Sequence, residues 1–113
     1  MKNLEKVIYK YVVVKLQFEG IHRWENCHLD EVFFLKDYHR HIFHVELTKK
    51  VSHNDRDIEI IKLKRDILEY FGTQPVHLDN QSCEDIAEKL LIKFDACSVK
   101  VLEDNENGAF VTL

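Results

Sequence analysis

Seven histidines stand among 113 residues, and two of them, His39 and His41, flank Arg40 in a stretch where polar and apolar residues alternate. In a β-strand, residues two apart share a face, with Cα atoms about 6.5–7 Å apart. Both imidazoles would then point the same way, close enough to share one metal ion. His22 follows Gly20 at the end of an earlier strand-like stretch. If the two strands pair as a hairpin, His22 approaches the other two at one end of the sheet. Three neutral imidazoles around Zn²⁺, with the fourth position open, make a catalytic rather than a structural site. A His-X-His pair also arises in strands that hold no metal. His28, His44, His53 and His77 read as surface or hydrogen-bonding residues.

The elements that must position these groups follow from hydrophobic period. Val7 to Phe18 reads as a strand, with Val12, Val14, Leu16 and Phe18 on one face. Ile21 to Asp37 looks irregular, and its Val32-Phe33-Phe34-Leu35 run fits either a short buried strand or a loop tucked onto the core. His39 to Lys50 alternates again, with His39, His41, Phe43, Val45 and Leu47 on one face. Ser52 to Asp57 is turn-like, and Asn54 or Asp55 is suited to cap an amphipathic helix from Asp57 to Tyr70, closed by Gly72. Ser82-Cys83-Glu84-Asp85 resembles a capping box. Ile86, Ala87, Leu90, Leu91 and Phe94 then line a second helix. Cys97 to Glu103 alternates as a third strand, Asn105-Glu106-Asn107-Gly108 is a turn signal, and Ala109 to Leu113 completes a hairpin. The expectation is an α+β domain over residues 1–113, a four-stranded antiparallel sheet with two helices on one face in the order ββααββ. Two open sheet edges on so small a chain favour self-association.

Composition bounds the function. With 16 Lys+Arg against 20 Asp+Glu the net charge is −4, which argues against a nucleic-acid backbone binder. Apolar residues at 45% and charged residues at 32% are ordinary for a globular domain. No apolar run approaches the roughly 20 residues of a membrane span, and Met1 to Lys6 lacks the apolar core of a secretory signal. Three cysteines without CxxC spacing fit a reducing cytosol better than a disulfide framework, so a cytoplasmic location is expected.

Phe18-Glu19-Gly20-Ile21-His22, followed by His39-Arg40-His41-Ile42-Phe43-His44-Val45-Glu46, resembles the 6-pyruvoyl-tetrahydropterin synthase and 6-carboxy-tetrahydropterin synthase family. That family's signature is an aromatic-led motif ending in His, then a His-Gly-His strand start. Asp57 to Lys64 is similar to its first helix, and Asn80 to Ala87 to its second, which usually begins Asn-Pro-Thr-Ser-Glu. Val99-Lys100-Val101-Leu102-Glu103 is similar to its third strand. The resemblance spans nearly the whole chain in the right order. It implies the tunnelling fold, in which sheets from several subunits join edge to edge into a barrel, here a homohexamer, with active sites at subunit junctions. It also implies Zn²⁺ at His22, His39 and His41, and a ligand-anchoring Glu103. A carboxylate accepts two parallel N–H bonds, matching the edge of a pterin or guanine.

In the family, zinc polarises substrate oxygens while a Cys moves a proton with help from an Asp-His pair. The family Cys usually lies four residues before His-Gly-His, where this chain has Leu35. Cys27 is the nearby alternative, and His77 and Asp79 are the only counterparts to the Asp-His pair; the middle Gly of His-Gly-His is Arg40. Cys83 and Cys97 read as core thiols. Three readings follow. The first is a zinc-dependent lyase on a dihydroneopterin-triphosphate-like substrate, using Cys27, His77 and Asp79. The second is a non-catalytic protein holding a purine- or pterin-like nucleotide ligand. The third is a zinc hydrolase on such a ligand, since His-bound Zn²⁺ acidifies water. Neither nucleic acid nor a membrane is an expected partner.

Overall fold

The two histidine-bearing stretches pair with each other. In the computed structural model, which describes residues 6–113, β1 (Lys10–His22) and β2 (His39–Val51) run antiparallel over their full length, from Lys10↔Val51 to His22↔His39. The Met1–Glu5 part of the segment read for a secretory signal lies outside the described residues. β1 begins at Lys10 rather than Val7 and runs on past Phe18 to His22, because Gly20 continues the strand instead of breaking it. At Gly20 an added Cβ would sit 2.7 Å from the Leu78 side chain and 2.8 Å from the Phe43 ring. The missing side chain is the space that lets Phe43 and Leu78 close over the strand.

The sheet has five strands in the order β3-β1-β2-β4-β5, with β3 at Val76–Asp79, β4 at Ser98–Glu103 and β5 at Asn107–Thr112. This corrects the four-stranded, all-antiparallel expectation. β3 pairs parallel to β1, through Gly20↔Val76 and Ile21↔His77, with a register shift before His22↔Asp79. The other pairings are antiparallel. The α+β class stands, and the element order becomes ββαβαββ. Four residues with one fully buried side chain, Leu78, carry too little period to announce a strand.

Helices α1 (Ile60–Phe71) and α2 (Cys83–Lys93) cover one face of the sheet. Their buried residues, Leu63 and Ile67 on α1 and Ile86, Ala87, Leu90 and Leu91 on α2, pack with Val14, Leu16, Phe18, Phe43, Val45, Leu47, Val99 and Val101 into one core. Phe18 stacks on Phe43 and on Phe71, with ring centroids 5.3 and 4.0 Å apart. Burying an aromatic side chain of this kind contributes about 1.5–3 kcal/mol.

Three local readings change. Asp30–Lys36 forms a 3₁₀ segment with no buried residue, so Val32 to Leu35 is neither a buried strand nor a core plug. Glu59, not Asn54 or Asp55, caps α1: its carboxylate accepts from the Ile61 and Lys62 N–H groups at 2.9 and 3.0 Å. The hairpin turn spans residues 104–106, with Asp104 and Asn105 at φ 53° and 59°, and β5 already begins at Asn107. Ser82 and Asp85 do form the capping box of α2.

Two outcomes are expected. Gly20→Ala should destabilise the fold by about 1–3 kcal/mol in denaturant unfolding, since two buried side chains must shift. The two N–H groups, Ile61 first, hold the Glu59 carboxyl below its ordinary pKa. A lowered folded-state value gives stabilisation that is present above the unfolded carboxylate pKa and is lost as pH falls through the folded one. Glu59→Gln should therefore flatten the fall in Tm between about pH 5 and about pH 3, the range in which carboxylates titrate.

Candidate metal centre

The inner face of the β1–β2 pair is apolar along most of its length and turns polar at one end. Phe18, Gly20 and His22 alternate onto it from β1, and Phe43, His41 and His39 from β2. The three imidazoles form a nearly even triangle, with ring centroids 4.5, 5.0 and 5.3 Å apart. One nitrogen from each ring lies within 4.8 Å of the corresponding nitrogens of the other two. Phe43 floors the cluster, edge-on to His22 at 5.2 Å and to His41 at 5.7 Å.

Each ring is held by its Nδ1. His22 Nδ1–H donates to the Gln81 carbonyl and His39 Nδ1–H to the Asp37 carbonyl, both at 2.8 Å. A carbonyl oxygen can only accept, which fixes both tautomers. His41 Nδ1–H donates to Asp104 Oδ2 at 2.7 Å. Every ring thus keeps Nε2 for the interior of the triangle. Tying one imidazole nitrogen to an acceptor so that the other can ligate is the usual outer support of a metal-binding His. The Nε2 atoms of His22 and His41 are buried without a hydrogen-bond partner, a costly state in a site with no ion. The residues present fit a divalent d-block cation such as Zn²⁺.

Glu103 ends β4 opposite Phe43, on the same inner face. Its Oε2 lies 3.1 Å from His22 Nε2 and its Oε1 3.6 Å from His41 Nε2, neither aligned as a hydrogen bond. Burial disfavours the imidazolium of His22, but the Glu103 carboxylate and the Gln81 carbonyl outweigh it and raise its pKa above the ordinary value. The same His22 contact, against the opposing effect of burial, holds the Glu103 carboxyl below its usual range.

The triangle opens on a cleft of about 490 Å³ whose wall includes His22, His39, Glu103, Arg23, Leu35 and Cys83. The structure therefore brings His22, His39, His41 and Glu103 together. Cys27, His77 and Asp79 are not in the cleft wall. The Cys27 thiol is buried and faces the Leu29 and Val32 carbonyls at 3.7 and 3.6 Å. His77 and Asp79 flank buried Leu78 on β3 and are exposed. Leu35 does line the cleft.

Two residues at the site are not marked as site residues by the sequence. Asp104 receives both His41 Nδ1–H and the Ile42 N–H, the latter at 3.0 Å. Its only sequence signal is its place next to Glu103 at a turn. Cys83, read as a core thiol, is buried but also lines the cleft beside Glu103. Burial, then the Glu103 and Glu84 carboxylates, push its pKa up to about 12, so it is a neutral thiol.

No family model matches the chain, and no curated protein matches it. Among the described residues no helix is long and apolar enough to cross a membrane.

A binding ion stabilises the folded state by mass action, about 2.7 kcal/mol at a hundredfold excess over Kd. Adding Zn²⁺ to chelator-treated protein should raise Tm, and His39→Ala should abolish that rise while leaving the far-ultraviolet circular dichroism unchanged. An equal Zn²⁺-dependent rise in the variant would remove His39 from the centre.

Proposed function

We propose that this protein is a pterin-synthase-like, metal-dependent module that holds a purine- or pterin-like ligand in the cleft beside His22, His39 and His41 without converting it. The observation that carries the non-catalytic reading is Leu35. It occupies the cleft wall at the position of the family's proton-transferring Cys, and a Leu side chain cannot move protons. The Cys27 thiol faces backbone carbonyls outside the cleft wall. The remaining thiol at the cleft, Cys83, has a pKa of about 12 and is a poor general base near neutrality.

The ligand class follows from the donor set. Glu103 presents a half-buried carboxylate beside a wall of backbone and side-chain amides from Asn80 and Gln81. Such a group accepts paired N–H bonds from a guanine- or pterin-type edge. When bound, the metal supplies Lewis acidity toward ligand oxygens. Arg23 lies at the mouth, its guanidinium 4.6 Å above the Tyr38 ring and 3.2 Å from Glu25, and can meet an anionic substituent.

Self-association belongs to the same proposal. The outer edge of β5 is unpaired in the sheet order, and it exposes Phe110. An unprotected edge with an exposed aromatic supports edge-to-edge joining of copies. A homohexamer is the size the resemblance implies.

A second reading retains chemistry. The metal triangle is intact without the family thiol, and that supports a lyase or hydrolase whose proton-transfer groups come from another copy. Incubating the Zn²⁺-loaded protein with dihydroneopterin triphosphate separates the two. The binding reading expects unchanged substrate by chromatography, together with a purine- or pterin-like compound released on heat denaturation and identified by mass spectrometry. Loss of triphosphate, abolished in His41→Ala, would establish the lyase instead.

A further inference from the structure

An open three-histidine site should leave one position around the ion facing solvent or ligand. Here that position faces a carboxylate. For a tetrahedral ion with metal–nitrogen and metal–oxygen bonds near 2.0–2.2 Å, neighbouring ligand atoms lie about 3.3–3.6 Å apart. Glu103 Oε2 stands 3.1 Å from His22 Nε2 and Glu103 Oε1 3.6 Å from His41 Nε2, both close to that edge length. The ligand atoms that lie within 4.8 Å of one another are those of the three histidines, so the carboxylate approaches from the His22–His41 side and turns inward to bind. Neither approach is aligned as a hydrogen bond, and both nitrogens are buried without one. Two ring nitrogens and a carboxylate converging at one end of the sheet are what an ion between them would collect.

Backbone register places Glu103 there. The Phe43↔Glu103 pairing sets it on the inner face, one strand over and diagonal to His41. Asp104, the next residue, is pinned by two bonds, from His41 Nδ1 and the Ile42 N–H, so the chain cannot carry Glu103 away without releasing His41. Cys83 lines the same cleft wall as Glu103.

We propose that Glu103 is the fourth metal ligand of the ligand-free protein, completing a His₃Glu centre. This rests on the three-histidine metal centre but not on the identity of the ligand in the cleft. Its consequence is a closed centre at rest: a ligand that uses the Glu103 carboxylate for its own N–H groups must first take it from the metal. Ligand capture and opening of a coordination position are then one event.

Cobalt(II) reports the fourth position directly. In the wild-type protein, carboxylate ligation should give intense visible bands that do not change between about pH 6 and about pH 9. In Glu103→Gln the fourth position passes to solvent, which ionises near neutrality on a His-bound ion, so the bands should shift with pH. Competition with a chromophoric chelator should show Zn²⁺ binding weakened at least about tenfold in Glu103→Gln, with the circular dichroism of the wild type. A wild-type cobalt spectrum that titrates near neutral pH, or equal Zn²⁺ affinity in the variant, would overturn the assignment while leaving the three-histidine centre intact. An intense near-ultraviolet thiolate band, lost in Cys83→Ser, would give the fourth position to Cys83 and likewise overturn it. Absence of any Zn²⁺ or cobalt binding would remove the centre as well.

Discussion

The antiparallel register that sets His22 opposite His39 is the constraint on which the rest of the structure depends. Side chains alternate across a strand, so a slip of one residue would send a strand's whole inner set to the other face. The inner set of β1 and β2 is fixed by Val14, Leu16, Phe18, Phe43, Val45 and Leu47, which must meet the helices. Hydrophobic burial therefore determines the register, and the register carries the imidazoles to one point. The core and the metal centre are two ends of one continuous surface, joined by Phe43.

The centre draws its rigidity from three separate parts of the chain. Asp37 precedes β2, Asp104 follows β4, and Gln81 lies between β3 and α2, yet each fixes one ring through Nδ1. The Gln81 contact depends on β3, the short strand that runs parallel to β1 and delivers the chain to His22. The capping box of Ser82 and Asp85 then turns the chain into α2 at once. Local backbone chemistry and metal-site geometry are coupled here: loosening the start of α2 would loosen His22.

The cleft combines features that pull in different directions. Its triangle has the donor set of a transition-metal site, and its wall carries a carboxylate, amide side chains and an arginine. Leu35 gives the wall an aliphatic patch, and the Cys83 thiol there is kept neutral first by burial and then by the acids around it.

The parts of the structure that depend on period and short-range chemistry can be read from the sequence alone. The inner face of β2, the apolar stripe of α2, the Ser82 capping box, the hairpin near Gly108 and the common face of His39 and His41 are all legible, because alternation and capping act within a few residues. Gly20 misled, since a glycine in a strand reads as a break when the reason for it is a Phe43 ring and a Leu78 side chain distant in sequence. Glu59 was passed over because several acids compete for one cap and only geometry chooses among them. The strand at Val76–Asp79, the bond from His41 to Asp104 and the place of Cys83 beside Glu103 depend on chain segments brought together by the sheet order. No spacing encodes them. Those contacts arise only once burial has chosen which strands lie side by side, so they belong to the tertiary structure.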